Sequence, residues 1–150
     1  MAKTVLGSAM SYSIKVHVNQ GDTDAYFHVI EESVWQYGGG GTWTNNDGVL
    51  TLEMGSSGTS GMLRFQTEEK KEIFSVVFGV HNYKPWTHVQ TGLASNQTCG
   101  VLLPEYYSGG KFSHVDIATP SKVHDSEHRT ITSEFRVYSG NNLDANIIIG

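Results

Sequence analysis

The amino-acid sequence predicts a mainly β protein folded as an antiparallel β-sandwich. Several segments alternate apolar and polar residues with a period of two, the pattern of a strand with one buried face. Turn-forming residues separate these segments about every ten residues, and the chain has seventeen glycines but only three prolines. Many short strands joined by turns are typical of sandwiches, and 150 residues suffice for one domain with a core.

The first predicted strands lie between the start of the chain and a loop of small residues. Residues 13–18 alternate apolar and polar side chains, and residues 26–37 carry the aromatic and β-branched residues that favour strands. Four consecutive glycines, residues 38–41, cannot continue a regular strand and predict a tight loop or bulge. A turn at residues 45–48 leads into another alternating segment, residues 50–54.

The middle of the chain contains the clearest strand. The loop of Gly, Ser and Thr at residues 55–61 leads into an apolar strand at residues 63–65. Residues 68–72 are charged and predict a solvated hairpin turn. The alternation over residues 74–80 then predicts a central strand that ends at His81 and Asn82.

One short amphipathic helix is predicted within residues 85–96. Trp86, Val89 and Leu93 follow the i, i+3, i+7 spacing of a helix face, and Pro85 suits a first helical turn.

The last third of the chain is less regular. Cys99 is predicted to be a small residue packed in a strand, and residues 109–110 form a glycine turn. Residues 111–128 show the weakest pattern, whereas residues 131–137 alternate clearly and residues 146–149 predict a buried closing strand.

Composition excludes several classes of protein. The net charge of -5 and the pI near 5.7 disfavour a nucleic-acid partner, which requires a basic face. No apolar run approaches the roughly 18 residues of a membrane span. The beginning of the chain lacks a secretory signal, so a cytoplasmic location is expected. Residues 1–10 are interpreted as an N-terminal extension or tag remnant, and residues 11–150 as a single domain.

No pattern of catalytic or metal-binding residues is evident. Of seven histidines only His124 and His128 are closely spaced, and they lie in a segment predicted to be strand or loop. Glu31 and Glu32 are adjacent, so on a strand they point to opposite faces. The surroundings of Cys99 indicate packing rather than a nucleophile. The sequence therefore predicts no enzyme, no metal and no cofactor.

Two polar segments indicate a shallow binding site on a rigid β scaffold. The loop at residues 55–61 offers backbone N–H groups and hydroxyls without bulky side chains, and His81 and Asn82 supply donors and acceptors at a strand end. The alternative interpretation of the loop is a flexible hairpin turn.

The aromatic residues divide into two predicted groups. Trp35 and Trp86 are expected to pack inside the domain. Tyr83, Tyr106 and Tyr107 lie beside loops and are expected to be half exposed, as aromatic residues of binding sites often are.

Several segments resemble those of the fungal fruit-body lectins. They are Trp35–Tyr37, Gly40–Trp43, Met54–Gly61, Leu63–Phe65, Phe78–Lys84, Trp86, Glu105–Tyr107 and Gly140–Gly150. The resemblance covers nearly all of residues 11–150 and is weakest in residues 108–130.

The resemblance implies a β-sandwich like that of the actinoporins, with a short helical connection between the sheets. It also implies a homotetramer that binds the Galβ1-3GalNAc disaccharide of O-linked glycans and glycoproteins (the Thomsen–Friedenreich antigen), without catalysis or metal. A role in defence is implied only by this resemblance. Carried over to this chain, the site consists of Gly38, Ser57, Gly58, His81 and Asn82. Gly38 replaces a small residue, usually alanine, of the family.

The family's second sugar site, for terminal N-acetylglucosamine, falls on His88, Val89 and Thr91. The family's acceptor carboxylate is here the imidazole of His88. The arginine and tyrosine that complete the site belong to a diverged region, where Lys111 is a poor substitute for the arginine. The sequence therefore predicts that N-acetylglucosamine binding is lost or altered.

The alternative function is that of an actinoporin-like membrane-binding or pore-forming protein. Such a protein needs an N-terminal amphipathic segment that enters the bilayer. Residues 1–13 show no such pattern, so membrane insertion is not expected. A glycan-processing enzyme is a further alternative, which no motif supports.

Overall fold

The computed structural model describes residues 11–21, 26–36, 39–69, 72–113, 120–125 and 127–150. Residues 1–10, interpreted above as an extension, and the predicted site residue Gly38 lie outside the described residues.

Ten strands and one short helical segment make up the described fold. In chain order the strands are β1 (Tyr12–Gln20), β2 (Phe27–Trp35), β3 (Gly41–Asn46), β4 (Val49–Met54), β5 (Ser60–Thr67), β6 (Ile73–His81), β7 (Lys84–Gln90), β8 (Ser121–His124), β9 (Thr130–Val137) and β10 (Asn142–Ile149). A helix, α1 (Cys99–Leu102), continues into a 3₁₀ turn (Leu103–Tyr106) between β7 and β8. Within the described ranges, no helix has the length and apolar character needed to cross a membrane.

The strands form two sheets that pack as a sandwich, which confirms the predicted fold class. A six-stranded sheet has the order β3-β4-β1-β10-β9-β8, and a four-stranded sheet has the order β2-β5-β6-β7. Antiparallel pairs dominate both sheets, but β1 and β10 pair in parallel, from Ser13 with Asn142 to Gln20 with Ile149. The alternation in a sequence shows which face of a strand is buried and not the direction of its neighbour, so this parallel pair was not predicted.

The main core lies between the sheets and is built from the apolar positions of the alternating segments. Ile14 and Val16 of β1 and Leu52 of β4 are fully buried from the six-stranded sheet, as is Phe78 of β6 from the other. Phe78 packs edge-on against Phe135 of β9, with ring centroids 5.8 Å apart. The predicted period-two strands are therefore confirmed, and their apolar faces close the sandwich.

Strands β5 and β6 are buried on both faces, because a second layer covers the outside of the four-stranded sheet. This outer core contains the buried residues Met62, Val77, Trp86, Cys99, Leu102, Leu103 and Tyr106. The layer is fastened by Glu31, whose Oε1 accepts hydrogen bonds from the Cys99 N–H at 3.0 Å and from Arg64 Nε at 2.7 Å. The segment containing α1 thus provides the helical connection that the resemblance implied.

The predicted helix at residues 85–96 is wrong, because this segment begins with strand β7. The side chains of Trp86 and His88 face the outer core, whereas Thr87 and Val89 face the main core. Both faces of β7 are therefore partly apolar, and their apolar residues fall by coincidence at helical spacing. Pro85 is tolerated because β7 is an edge strand of its sheet.

The predicted strand around Cys99 is also wrong, since Cys99 opens helix α1. Its expected packing is nevertheless confirmed, because Cys99 is fully buried in the outer core. Burial, with the nearby Glu31 carboxylate, raises the pKa of the Cys99 thiol to about 12. The thiol is therefore protonated at neutral pH and is not an activated nucleophile.

A buried pair of hydroxyl groups links the two sheets. Thr87 Oγ1 of β7 lies 2.7 Å from Ser133 Oγ of β9 and donates to the Val77 carbonyl at 2.9 Å. Ser133 is fully buried and Thr87 is 1% exposed. The Thr87 hydroxyl therefore shares its proton between Ser133 Oγ and the Val77 carbonyl, and Ser133 accepts across the main core.

We expect Thr87→Val to lower the free energy of unfolding by about 1–3 kcal/mol, because it leaves the Ser133 hydroxyl buried without a partner. The double variant Thr87→Val/Ser133→Ala should recover most of this loss, since no unpaired hydroxyl remains. Urea unfolding of the wild type, both single variants and the double variant measures the coupling. Additive effects of the two substitutions would contradict this account.

Candidate functional site

The candidate site begins at the two-residue turn between β6 and β7. His81 pairs with Lys84, so Asn82 and Tyr83 form the turn, with φ angles of 50° and 66°. Positive φ at both positions is characteristic of a type I′ turn, whose twist matches that of the hairpin. Asn tolerates this conformation, but a tyrosine pays a steric cost. The turn exposes His81, Asn82 and Tyr83 to solvent at the end of the sandwich.

Hydrogen bonds attach the loop between β4 and β5 to this turn. Ser57 Oγ accepts a hydrogen bond of 3.0 Å from the Tyr83 N–H. The Gly58 N–H donates to the Val80 carbonyl at 2.7 Å, and the Val80 N–H donates to the Thr59 carbonyl at 3.2 Å. Gly58 has a φ of 101°, a conformation that favours glycine. The loop is thus fastened to the end of β6, as the prediction of a site on a rigid scaffold requires.

Four of the five residues predicted for the sugar site line one open depression. Ser57, Gly58, His81 and Asn82 meet there, and the depression has a volume of about 500 Å³. Its remaining lining residues are Trp35, Tyr83, Tyr107 and Ser108. The structure therefore brings the two predicted polar segments together, whereas Gly38 lies outside the described residues.

Tyr107 and Trp35 form an aromatic wall of this depression. Their rings stack with centroids 4.2 Å apart and an interplanar angle of 8°, and the Tyr107 hydroxyl is hydrogen-bonded to Ser60 Oγ. Burial raises the pKa of Tyr107 to about 12, so its hydroxyl is protonated at neutral pH. Trp35 is half-buried rather than fully inside, while the expected half exposure of Tyr107 is confirmed.

Tyr83 is 65% exposed, more than the expected half, and the other two aromatic residues had different outcomes. Trp86 is 6% exposed, which confirms its predicted place inside the domain. Tyr106 was expected to be half exposed, but this is wrong, since it is also only 6% exposed. Its ring is buried because it packs against the Trp86 indole beneath the 3₁₀ turn.

The polar groups of the depression suit neutral, hydroxyl-rich ligands. Because Ser57 Oγ already accepts the Tyr83 N–H, its own proton is available for donation. Asn82 Nδ2 lies 3.3 Å from His81 Nε2. When the amide donates in this contact, Asn82 Oδ1 and His81 Nδ1–H provide one acceptor and one donor to a ligand.

Catalytic and metal-binding groups do not converge on the site in the part of the chain that the structure describes. Among those residues no group of three or more His, Cys, Asp and Glu is arranged to hold a metal ion. Burial alone would raise the pKa of the Glu31 carboxyl group. Hydrogen bonds from Cys99 and Arg64 outweigh burial and hold this pKa below its ordinary value. His124, one of the two closely spaced histidines, has its Nδ1 atom 3.0 Å from the Thr130 hydroxyl oxygen.

The residues predicted for the second sugar site do not share one surface. His88 faces the outer core, where its Nδ1 lies 2.7 Å from the Tyr106 hydroxyl and its ring lies 4.7 Å from that of Phe112. Val89 points the other way, into the main core, and is 2% exposed. Thr91 follows the end of β7. Adjacent residues of a strand face opposite sides of the sheet, so this separation is a consequence of the strand itself.

Comparison with known proteins gives consistent matches over nearly the whole chain. The family model described as "Fungal fruit body lectin" matches residues 10–147. The Boletus edulis lectin is 39% identical over 142 residues, which cover 93% of this chain and 99% of that protein.

Solved structures of the Xerocomus chrysenteron lectin XCL share the fold. The wild-type protein superimposes with a TM-score of 0.89 at 41% identity, covering 94% of this chain and all of that one (100%). A variant of the same lectin with three methionine substitutions, at 1.4 Å resolution, gives a TM-score of 0.89 at 42% identity.

Tyr83→Gly should raise the free energy of unfolding by about 1 kcal/mol, because glycine occupies positive φ without the steric cost of a side chain. The β3–β4 turn provides the matched control. There Asp47 and Gly48 have φ angles of 54° and 86°, so glycine already occupies the second position. Gly48→Ala should accordingly destabilise the protein. Thermal unfolding measures both changes, and a destabilised Tyr83→Gly protein would refute the argument.

Stability should depend on pH through His88. Burial lowers the pKa of its imidazole below the ordinary value of 6.5. The unfolded chain therefore takes up this proton at a higher pH than the folded protein does. Stability is full above a pH of about 6.5 and falls as the pH drops below it. We expect His88→Gln to give a smaller decrease in unfolding free energy between about pH 7 and pH 5 in urea titrations. Equal decreases in both proteins would contradict the assignment.

Proposed function

The chain belongs to the fungal fruit body lectin family, and we propose that it binds the Galβ1-3GalNAc disaccharide of O-linked glycans. Membership of this family makes it a carbohydrate-binding lectin and not an enzyme. The proposed binding site is the depression lined by Ser57, Gly58, His81 and Asn82. Its partners are then glycans and glycoproteins that carry this disaccharide.

The observation that carries the proposal is the meeting of these four residues in one depression. The resemblance assigns all four to the sugar, and they come from two segments separated in the sequence by strand β5 and most of β6. Their polar groups are exposed or half-buried and held by hydrogen bonds. Such groups match the hydroxyls of a sugar, and the adjacent ring of Tyr83 offers an apolar face.

Binding at one such site is expected to be weak. Each hydrogen bond contributes a net of about 0.5–1.5 kcal/mol, and the open depression leaves one side of the ligand in water. The homotetramer implied by the resemblance would present several copies of the site. Multivalency then raises avidity by roughly 10²–10⁴ above the affinity of one site.

We further propose that this chain has lost or altered the N-acetylglucosamine site of its family. The imidazole of His88 replaces an acceptor carboxylate, and its Nδ1 is engaged by Tyr106 while its ring is covered by Phe112. The side chain of Val89 is buried in the main core. These contacts leave His88 a poor acceptor for a sugar hydroxyl.

Asn82→Gly is the substitution that tests the first site most directly. Glycine retains the positive φ of the turn and removes only the amide, so binding should be lost while the fold is kept. Asp47→Gly makes the matched change in the β3–β4 turn, which does not line the depression, and should bind normally. A glycan array with agglutination of cells bearing the disaccharide measures both variants.

Retained Galβ1-3GalNAc binding by a folded Asn82→Gly protein would refute the site assignment. Selective binding of the wild type to other glycans would refute the proposed specificity. An N-acetylglucosamine signal on the same array that persists in Asn82→Gly would show that the second site still functions.

A further inference from the structure

A smaller cavity adjoins the depression and is lined by four aromatic side chains, those of Trp86, Tyr106, Tyr107 and Phe112. Its volume is about 180 Å³. Its lining residues are Gly58, Val80, His81, Trp86, Tyr106, Tyr107, Ser108, Phe112 and Ser113. Gly58, His81, Tyr107 and Ser108 also line the depression, so the two spaces share a wall. A ligand held by Ser57 and Asn82 can therefore extend from one into the other.

The aromatic walls of this cavity are fixed by contacts behind them. The Tyr106 hydroxyl accepts from Gln90 Nε2 at 2.9 Å and lies 2.7 Å from His88 Nδ1, so two of its three hydrogen-bonding positions are already used. The ring of Phe112 stacks on that of Tyr106, with centroids 5.2 Å apart and an interplanar angle of 27°. The cavity thus presents ring surfaces whose positions are set before any ligand binds.

The loop that places Phe112 depends on a glycine. The Phe112 N–H donates to the Glu105 carbonyl at 2.8 Å, and the Gly110 N–H donates to the Tyr107 carbonyl at 2.8 Å. A Cβ on Gly110 would lie 2.4 Å from the Glu105 carbonyl oxygen, a distance that no side chain tolerates. Glycine at this position therefore lets the loop fold back and close one side of the cavity.

We propose that this aromatic cavity is a subsite for an apolar or aromatic group attached to the anomeric carbon of the bound glycan. The inference rests on the proposed function, because it assigns the neighbouring depression to the sugar. A group that enters the cavity meets four aromatic side chains, and the Tyr106 hydroxyl beside it already makes two hydrogen bonds within the protein. The volume matches a single aromatic ring, because cavities of about 150 Å³ accept benzene. Binding then depends on the group to which the glycan is attached as well as on the sugars themselves.

The test compares two ligands that differ only in this group. Isothermal titration of the wild type with the phenyl and methyl α-glycosides of Galβ1-3GalNAc should show at least about fivefold tighter binding of the phenyl glycoside, from burial of its ring. Ser113→Trp fills the cavity from its rim and should remove this preference without changing the affinity for the methyl glycoside. Ser113→Ala, the matched control, should keep the preference.

Each alternative result has a distinct meaning. Equal affinities of the wild type for both glycosides would overturn the subsite and leave the proposed function standing. If neither glycoside binds, the proposed sugar specificity fails, and fluorine NMR with 4-fluorophenol then decides the subsite. Line broadening in the wild type that is lost in Ser113→Trp would support an aryl-binding cavity, whereas its absence in the wild type would overturn the inference.

Discussion

The lack of a side chain at Gly79 is the constraint on which the outer half of the molecule depends. A Cβ there would lie 2.6 Å from Trp86 Nε1 and 2.7 Å from Ser60 Cβ. Because glycine leaves this space open, the Trp86 indole lies across strand β6, and Tyr106 packs on it with ring centroids 5.3 Å apart. The same close approach keeps Ser60 in reach of the Tyr107 hydroxyl. The positions of the aromatic residues that line the depression and the cavity therefore depend on the close approach of Trp86 and Ser60 to Gly79.

The strands were predictable because sheet packing imposes a two-residue period on the sequence. The segments 13–18 and 74–80 show it, and both are central strands of their sheets. Strand β7 escaped prediction because it meets an apolar layer on both faces, so its sequence lacks a polar side. Periodicity cannot separate such a strand from a helix. The parallel pairing of β1 with β10 was not predicted for a different reason. The alternation of apolar and polar residues is the same in parallel and antiparallel strands.

The candidate site was predictable where its chemistry lies in short polar segments. The glycine and serine loop and the pair His81–Asn82 are visible as such in the sequence, and the structure brings them together. Trp35, Tyr107 and Ser108 were not assigned to the site, because their places depend on how residues 91–113 cover the four-stranded sheet. Tyr107 was at least recognised as an aromatic residue beside a loop. The strained φ of Tyr83 is likewise a product of the hairpin and has no sequence signal of its own.

The parallel pair β1–β10 governs the order in which this molecule is able to fold during synthesis. The contact between His17 and Asp144 joins residues 127 positions apart, in the middle of the six-stranded sheet. The four-stranded sheet and the outer core that covers it are built from residues 27–112 and are complete earlier along the chain. β1 therefore leaves the ribosome first and keeps one edge unpaired until β10 arrives. Pairings of such long range make folding slow and expose the waiting edge to aggregation, so the final strand acts as the closing step of the whole sandwich.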